Sequence, residues 1–94
     1  MGSSFEVYEV TANNDLELEV KYVSLVEKAL YDHGHSGYSG TIAESPGLTV
    51  VTEYSGDSVS SEEYIMENAK KWENSLAIQI KGSNRWLIGG WYSS

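Results

Sequence analysis

Leu16-Glu17-Leu18-Glu19-Val20-Lys21-Tyr22 alternates apolar and polar residues, and taken alone it fits a half-buried strand. The alternation fails at Tyr22-Val23 and again at Leu25-Val26, whereas Glu17, Lys21, Ser24 and Lys28 recur at spacings of four, three and four. That period is one solvated face of a helix, so a helix is predicted through Leu30. Asn13 or Asn14 supplies its cap, Glu17 is placed to complete that cap, and Gly34 supplies a stop.

Upstream, Phe5-Glu6-Val7-Tyr8-Glu9-Val10 reads as a strand with Phe5, Val7 and Val10 toward the core and a slip in the alternation at Tyr8. Downstream, Thr41-Ile42-Ala43-Glu44 and Leu48 through Tyr54 read as two strands joined by a Pro46-Gly47 turn. Val59-Ser60-Ser61-Glu62-Glu63-Tyr64 follows, with Ser60 and Glu63 spaced as a capping box and Val59 placed to pack on Tyr64. It opens a second helix, carrying Ile65, Ala69 and Trp72 on one face and closed by Asn74. Leu76 through Lys81 and Arg85 through Tyr92 then form strands around Gly82-Ser83-Asn84. The expected fold is α+β, with two helices on an antiparallel sheet in the ferredoxin-like βαββαβ order and a final strand added at an edge.

Ninety-four residues, 40% of them apolar, with seven tyrosines, three tryptophans and one proline, supply one core, so residues 1–94 are read as one domain. The chain has no cysteine, which excludes disulfides, thiolate metal sites and a cysteine nucleophile, and suits a reducing cytoplasm. No apolar run approaches the roughly 18 residues of a membrane span, and Met1 through Glu6 lacks a signal-peptide core. A net charge of -8 with six basic residues disfavours direct binding to nucleic acid and favours a protein partner with a basic surface.

Both histidines lie in Asp32-His33-Gly34-His35. Asp32, His33 and His35 have the donor types for a divalent metal, although a further ligand must come from elsewhere; the alternative is that His33 only caps the helix end while His35 faces solvent. Gly34, Gly37 and Gly40 recur every third residue, so Gly37, Tyr38, Ser39, Gly40 and Thr41 are candidates to wrap a small anion with backbone amides. Turn geometry explains the same glycines, and neither nucleotide-binding pattern is met. For catalysis the candidates are His33 or His35 as general base with Asp57, because antiparallel strands would gather the loop after the first helix, Ser55 through Ser58 and the last turn with Arg85 at one end of the sheet. No complete catalytic set is present, and no cofactor is called for. Trp91 and Tyr92 are candidate anchors for a partner, with core packing as the alternative for Trp86, Trp91 and Tyr92. A free sheet edge would also permit a homodimer.

His33-Gly34-His35-Ser36-Gly37-Tyr38-Ser39-Gly40-Thr41-Ile42, together with the Trp86 to Gly89-Gly90-Trp91 segment, resembles small uncharacterised proteins of bacteriophages and bacteria. The resemblance carries no activity with it; it implies that the loop from His33 to Thr41 is the place to look and that a virus-encoded accessory role has weight. The function expected is therefore a small non-enzymatic protein that docks on a host or viral protein. The alternative is an enzyme or anion binder using the histidine loop.

Overall fold

The computed structural model describes residues 3–33, 41–70 and 72–93. Strand β1 (Ser3–Thr11) leads into helix α1 (Asp15–His33). The expected cap forms: Asn14 Oδ1 accepts the Glu17 N–H at 2.8 Å, and Glu17 Oε1 accepts the Asn13 N–H at 2.8 Å. Glu17, Lys21, Ser24 and Lys28 are exposed, while Leu18, Tyr22, Leu25, Val26 and Ala29 face the core.

A 3-10 helix (Ile42–Glu44), strand β2 (Leu48–Val50), helix α2 (Ser58–Asn68) and strands β3 (Ser75–Gln79) and β4 (Arg85–Ser93) complete the order. The segment Thr41–Glu44 is thus not a strand, and Pro46-Gly47 is not a hairpin turn. Thr41 Oγ1 accepts the Ala43 N–H at 3.3 Å, and the tight turn that follows seats Ile42 fully inside the core. Burying that one side chain outweighs pairing a four-residue strand at an edge. The start of α2 also differs. Asp57 is its cap, accepting the Ser60 N–H at 2.8 Å, so Ser60 and Glu63 lie inside the helix. Val59 is exposed, and Tyr64 stacks on Tyr54 at 4.7 Å instead.

The four strands run in the order β1-β4-β3-β2, with β1–β4 and β3–β4 antiparallel and β2–β3 parallel. The α+β class holds, but the sheet is mixed rather than antiparallel. Nor does it follow the ferredoxin-like order, which would place β1 in the centre; here β1 is an edge. The two helices also do not share a layer. On one face Tyr8, Val10, Leu48, Val50, Ala77, Trp86, Ile88 and Tyr92 pack with Leu18, Tyr22 and Ala29 of α1. On the other, Phe5, Val7, Leu76, Ile78, Leu87 and Trp91 pack with Ile65 of α2 and Ala69 just beyond it. Successive strand residues point to opposite faces, so a sheet covered on both sides needs apolar residues at both parities. The slip at Tyr8 is this second parity appearing.

Gly89 is required by the approach of β1 to β4. A Cβ there would lie 2.5 Å from the Glu6 carbonyl oxygen and 3.0 Å from Val7 Cα, both backbone atoms that cannot swing aside. At Gly90 the nearest atom to such a Cβ is the Tyr92 hydroxyl at 3.5 Å, an ordinary contact. Gly89→Ala is therefore expected to lower unfolding free energy by roughly 1–3 kcal/mol, measured by urea denaturation, while Gly90→Ala changes it much less.

Candidate functional site

The sequence candidates do not converge among the described residues. Asp32 lies exposed in the last turn of α1, 3.6 Å from Lys28 Nζ one turn earlier. His33 ends that helix; its side chain, together with His35, Gly37, Tyr38, Ser39 and Gly40, lies outside the described residues. Thr41 is buried and caps the 3-10 helix. Asp57 is spent on the α2 cap, and the Ser60 backbone N–H, followed by the Ser60 side chain, holds its carboxyl below the usual carboxylate range. Among the described residues no group of three or more His, Asp or Glu side chains is arranged to hold a metal ion.

The expected gathering of loops fails for a geometric reason. The turn Gly82–Asn84, the Gly56 region and the start of α1 do share one end of the sheet: Lys81 N–H donates to Gly56 O at 2.9 Å, Ala12 N–H to Asn84 O at 2.9 Å, and Asn84 Nδ2 to Asn13 Oδ1 at 3.2 Å. α1 then runs away from that end for about 27 Å, at 1.5 Å per residue, before it reaches His33. Asp57 caps a helix on the opposite face, and Arg85 pairs with Glu9 at 3.5 Å.

Under α1 the structure holds a chain of hydroxyls. Tyr22 OH lies 2.9 Å from Ser45 Oγ, Ser45 Oγ 2.8 Å from Ser75 Oγ, and Ser75 Oγ 2.6 Å from Tyr92 OH. Ser45 Oγ also donates to Gly47 O at 2.8 Å. Each hydroxyl has one proton, so this last bond fixes the rest: Ser45 receives from Tyr22 and Ser75, and Ser75 receives from Tyr92. The Tyr92 phenol must stay protonated in that arrangement. Burial accordingly pushes the Tyr92 hydroxyl well above the ordinary tyrosine range, against the lowering effect of Ser75. Tyr8, on the same face, is also raised, by burial first, while its bond with the Ile42 backbone opposes the shift. Every proton in the hydroxyl chain is thus committed to a neighbour, and the bonds fasten α1 and Ser45 to the sheet.

The C-terminal aromatic anchors are likewise occupied. Tyr92 is 3% exposed, which removes it from any partner surface. Trp91 is half-buried, donates its indole N–H to Met66 O at 2.9 Å and packs on Phe5 with ring centroids 5.2 Å apart. Trp86, buried, donates to Ala12 O at 3.1 Å.

What α1 shows to solvent is different. Leu16, Val20, Val23 and Tyr31 are 73, 57, 45 and 90% exposed. At about 100° per residue they lie on the side opposite Leu18, Tyr22 and Ala29, with Glu27 between Val23 and Tyr31. The signal stands in the sequence as spacings of four, three and eight from Leu16; it is hidden because Leu16, Val20 and Val23 are residue types that composition assigns to a core. Trp72, 57% exposed, is the only other large aromatic so displayed among the described residues, and it adopts the left-handed region at φ 73°. No helix among the described residues is long and apolar enough to cross a membrane. No family model matches the chain, and neither curated proteins nor solved structures show a significant match to it.

The hydroxyl chain makes a two-part prediction. Ser75→Ala strands the Tyr92 donor and is expected to cost roughly 1–3 kcal/mol in urea unfolding. Because the folded state keeps Tyr92 protonated while the unfolded chain releases that proton near its ordinary value of about 10, stability stays level with respect to this group below pH 10 and falls above it. In Tyr92→Phe that alkaline fall should be smaller.

Proposed function

We propose that this chain is a non-enzymatic protein-binding module that docks the outer face of α1 on a partner presenting an apolar patch rimmed by Lys and Arg. The observation that carries the reading is the stripe of Leu16, Val20, Val23 and Tyr31, which points away from the domain's own core. Amphipathic helices recognised in grooves present anchors at this spacing. Charge supplies the partner's chemistry: α1 carries Asp15, Glu17, Glu19, Glu27 and Asp32 against Lys21 and Lys28, within a chain of net charge -8. A basic rim would be drawn to such a helix and would find a counter-charge for Glu27 inside the apolar stripe.

The reading places the protein in a reducing compartment, consistent with its lack of cysteine, and a phage-encoded accessory role follows from the resemblance of its loop and C-terminal motif.

The test is a matched pair of variants. Val20→Glu and Tyr31→Ser alter only exposed side chains, so unfolding free energy should move by no more than about 0.5 kcal/mol. Proteins retained from lysate by the wild-type chain should be lost with both variants and kept with Glu63→Lys, a change on α2. Weaker retention at raised salt is the second signature. A retained set identical for all four chains sinks the proposal.

A further inference from the structure

β1 is an edge strand of nine residues whose register against β4 is unbroken from Ser3 to Thr11. Among the described residues no strand lies on its other side. The register continues to Ala12, whose N–H donates to Asn84 O. In an antiparallel ladder, bonded residues alternate, so the even-numbered residues of β1 bond to β4. Val7 and Gly89, an odd pair, come as close as a non-bonded pair should. The N–H and C=O groups of Ser3, Phe5, Val7, Glu9 and Thr11 therefore point outward. The sheet's other edge, β2, is three residues long, the usual safeguard against unwanted pairing. β1 is long and has no proline, no lysine and no bulge; the charges it carries are Glu6 and Glu9, which block pairing only in registers that oppose them.

From this we infer that β1 is a homodimerisation strand, pairing antiparallel with β1 of a second copy about a two-fold axis at Val7 and joining the two sheets into one. The sequence of β1 selects the second copy as occupant. With the axis at Val7, Val7 faces Val7, Phe5 faces Glu9 and Ser3 faces Thr11 as hydrogen-bonded pairs, while Glu6 faces Tyr8 and Ser4 faces Val10 between them. Every outward donor meets an acceptor, and no acidic residue faces another. An axis at Glu6 or at Glu9 would set two glutamates directly opposite each other, which is destabilising. An axis at Tyr8 would lose the pair of Ser3 with Thr11. Beside this edge, on the α2 face, Val59 is 67% exposed in a groove it shares with Val7 and with Glu9 and Glu62, whose carboxylates are the charges that salt must screen. The dyad brings that apolar side chain toward its counterpart. This inference does not rest on the docking role of α1, which lies on the other face.

Sedimentation equilibrium over a micromolar to millimolar range, with native mass spectrometry, tests it. The wild-type chain should dimerise, and more strongly as salt screens the charge of -8 on each copy. Val7→Pro removes an outward N–H without touching a bond to β4, so it should weaken the dimer by about tenfold or more. If Val7→Pro does not fold, Val7→Cys decides: the chain has no other cysteine, and mild oxidation should join two copies through residue 7. A chain that stays monomeric at the highest concentration overturns the inference, including the case where β1 pairs only with a strand of another protein. So does a dimer that Val7→Cys fails to link, or one that Val20→Glu abolishes while Val7→Pro leaves it intact.

Discussion

The fold depends on β4 being buried from both sides. It pairs with β1 along one edge and β3 along the other, and Trp86, Leu87 and Ile88 are buried in succession although their side chains alternate between faces. A strand in that position cannot leave either face to water, so each face needs its own helix. α1 answers one face and α2 the other. Gly89 lets β1 come close enough to complete the ladder where a side chain would strike backbone. Remove the two-sided burial and there is no reason for α1 and α2 to separate into different layers.

The two faces are held by different means. On the α2 side contact is apolar and aromatic apart from the buried Ser61 hydroxyl, with Ile65, Ile78 and Leu87 at its centre and the Trp91 indole tied to the end of the helix. On the α1 side the apolar cluster surrounds a polar seam from Tyr22 through Ser45 and Ser75 to Tyr92. A buried hydroxyl chain gives little net stability over apolar packing when satisfied, yet leaving any member unpaired is costly. Its effect is therefore on uniqueness: it fixes which turn of α1 sits over which residue of β3 and β4. It also anchors Ser45, and with it the segment that begins at Thr41.

Local chemistry was the legible part of the sequence. The Asn14–Glu17 cap, the run of α1 and the turn at Gly82 depend on residues a few positions apart, and they stand in the structure as read. Non-local competition was illegible. Thr41–Glu44 has the composition of a strand, but Ile42 finds a better place in the core than any edge offers. Ser60–Glu63 has capping-box spacing, yet Asp57 starts the helix earlier. The ferredoxin-like order failed because element order alone does not say that β1 belongs beside β4. Only the continuous apolar run Trp86-Leu87-Ile88 hinted at a central strand. For the candidate site, residue type did not separate function from structure: Asp57, Trp91 and Tyr92 are engaged within the fold, whereas the exposed stripe uses Leu16, Val20 and Val23, which composition assigns to the core.

The two surfaces left over bear on each other. Antiparallel strands related by a dyad keep their faces, so pairing through β1 would put both α1 helices on the same side of the joined sheet, with neither stripe covered. A chain of this size presents one short stripe, and a single helix face of four apolar side chains gives a modest interface. Two such stripes held rigidly on one side would engage a symmetric or repeated partner with the second contact made at high effective concentration. The acidic surface works in the same direction. It opposes association between copies wherever their strands are out of register, and it draws a basic partner toward both helices at once.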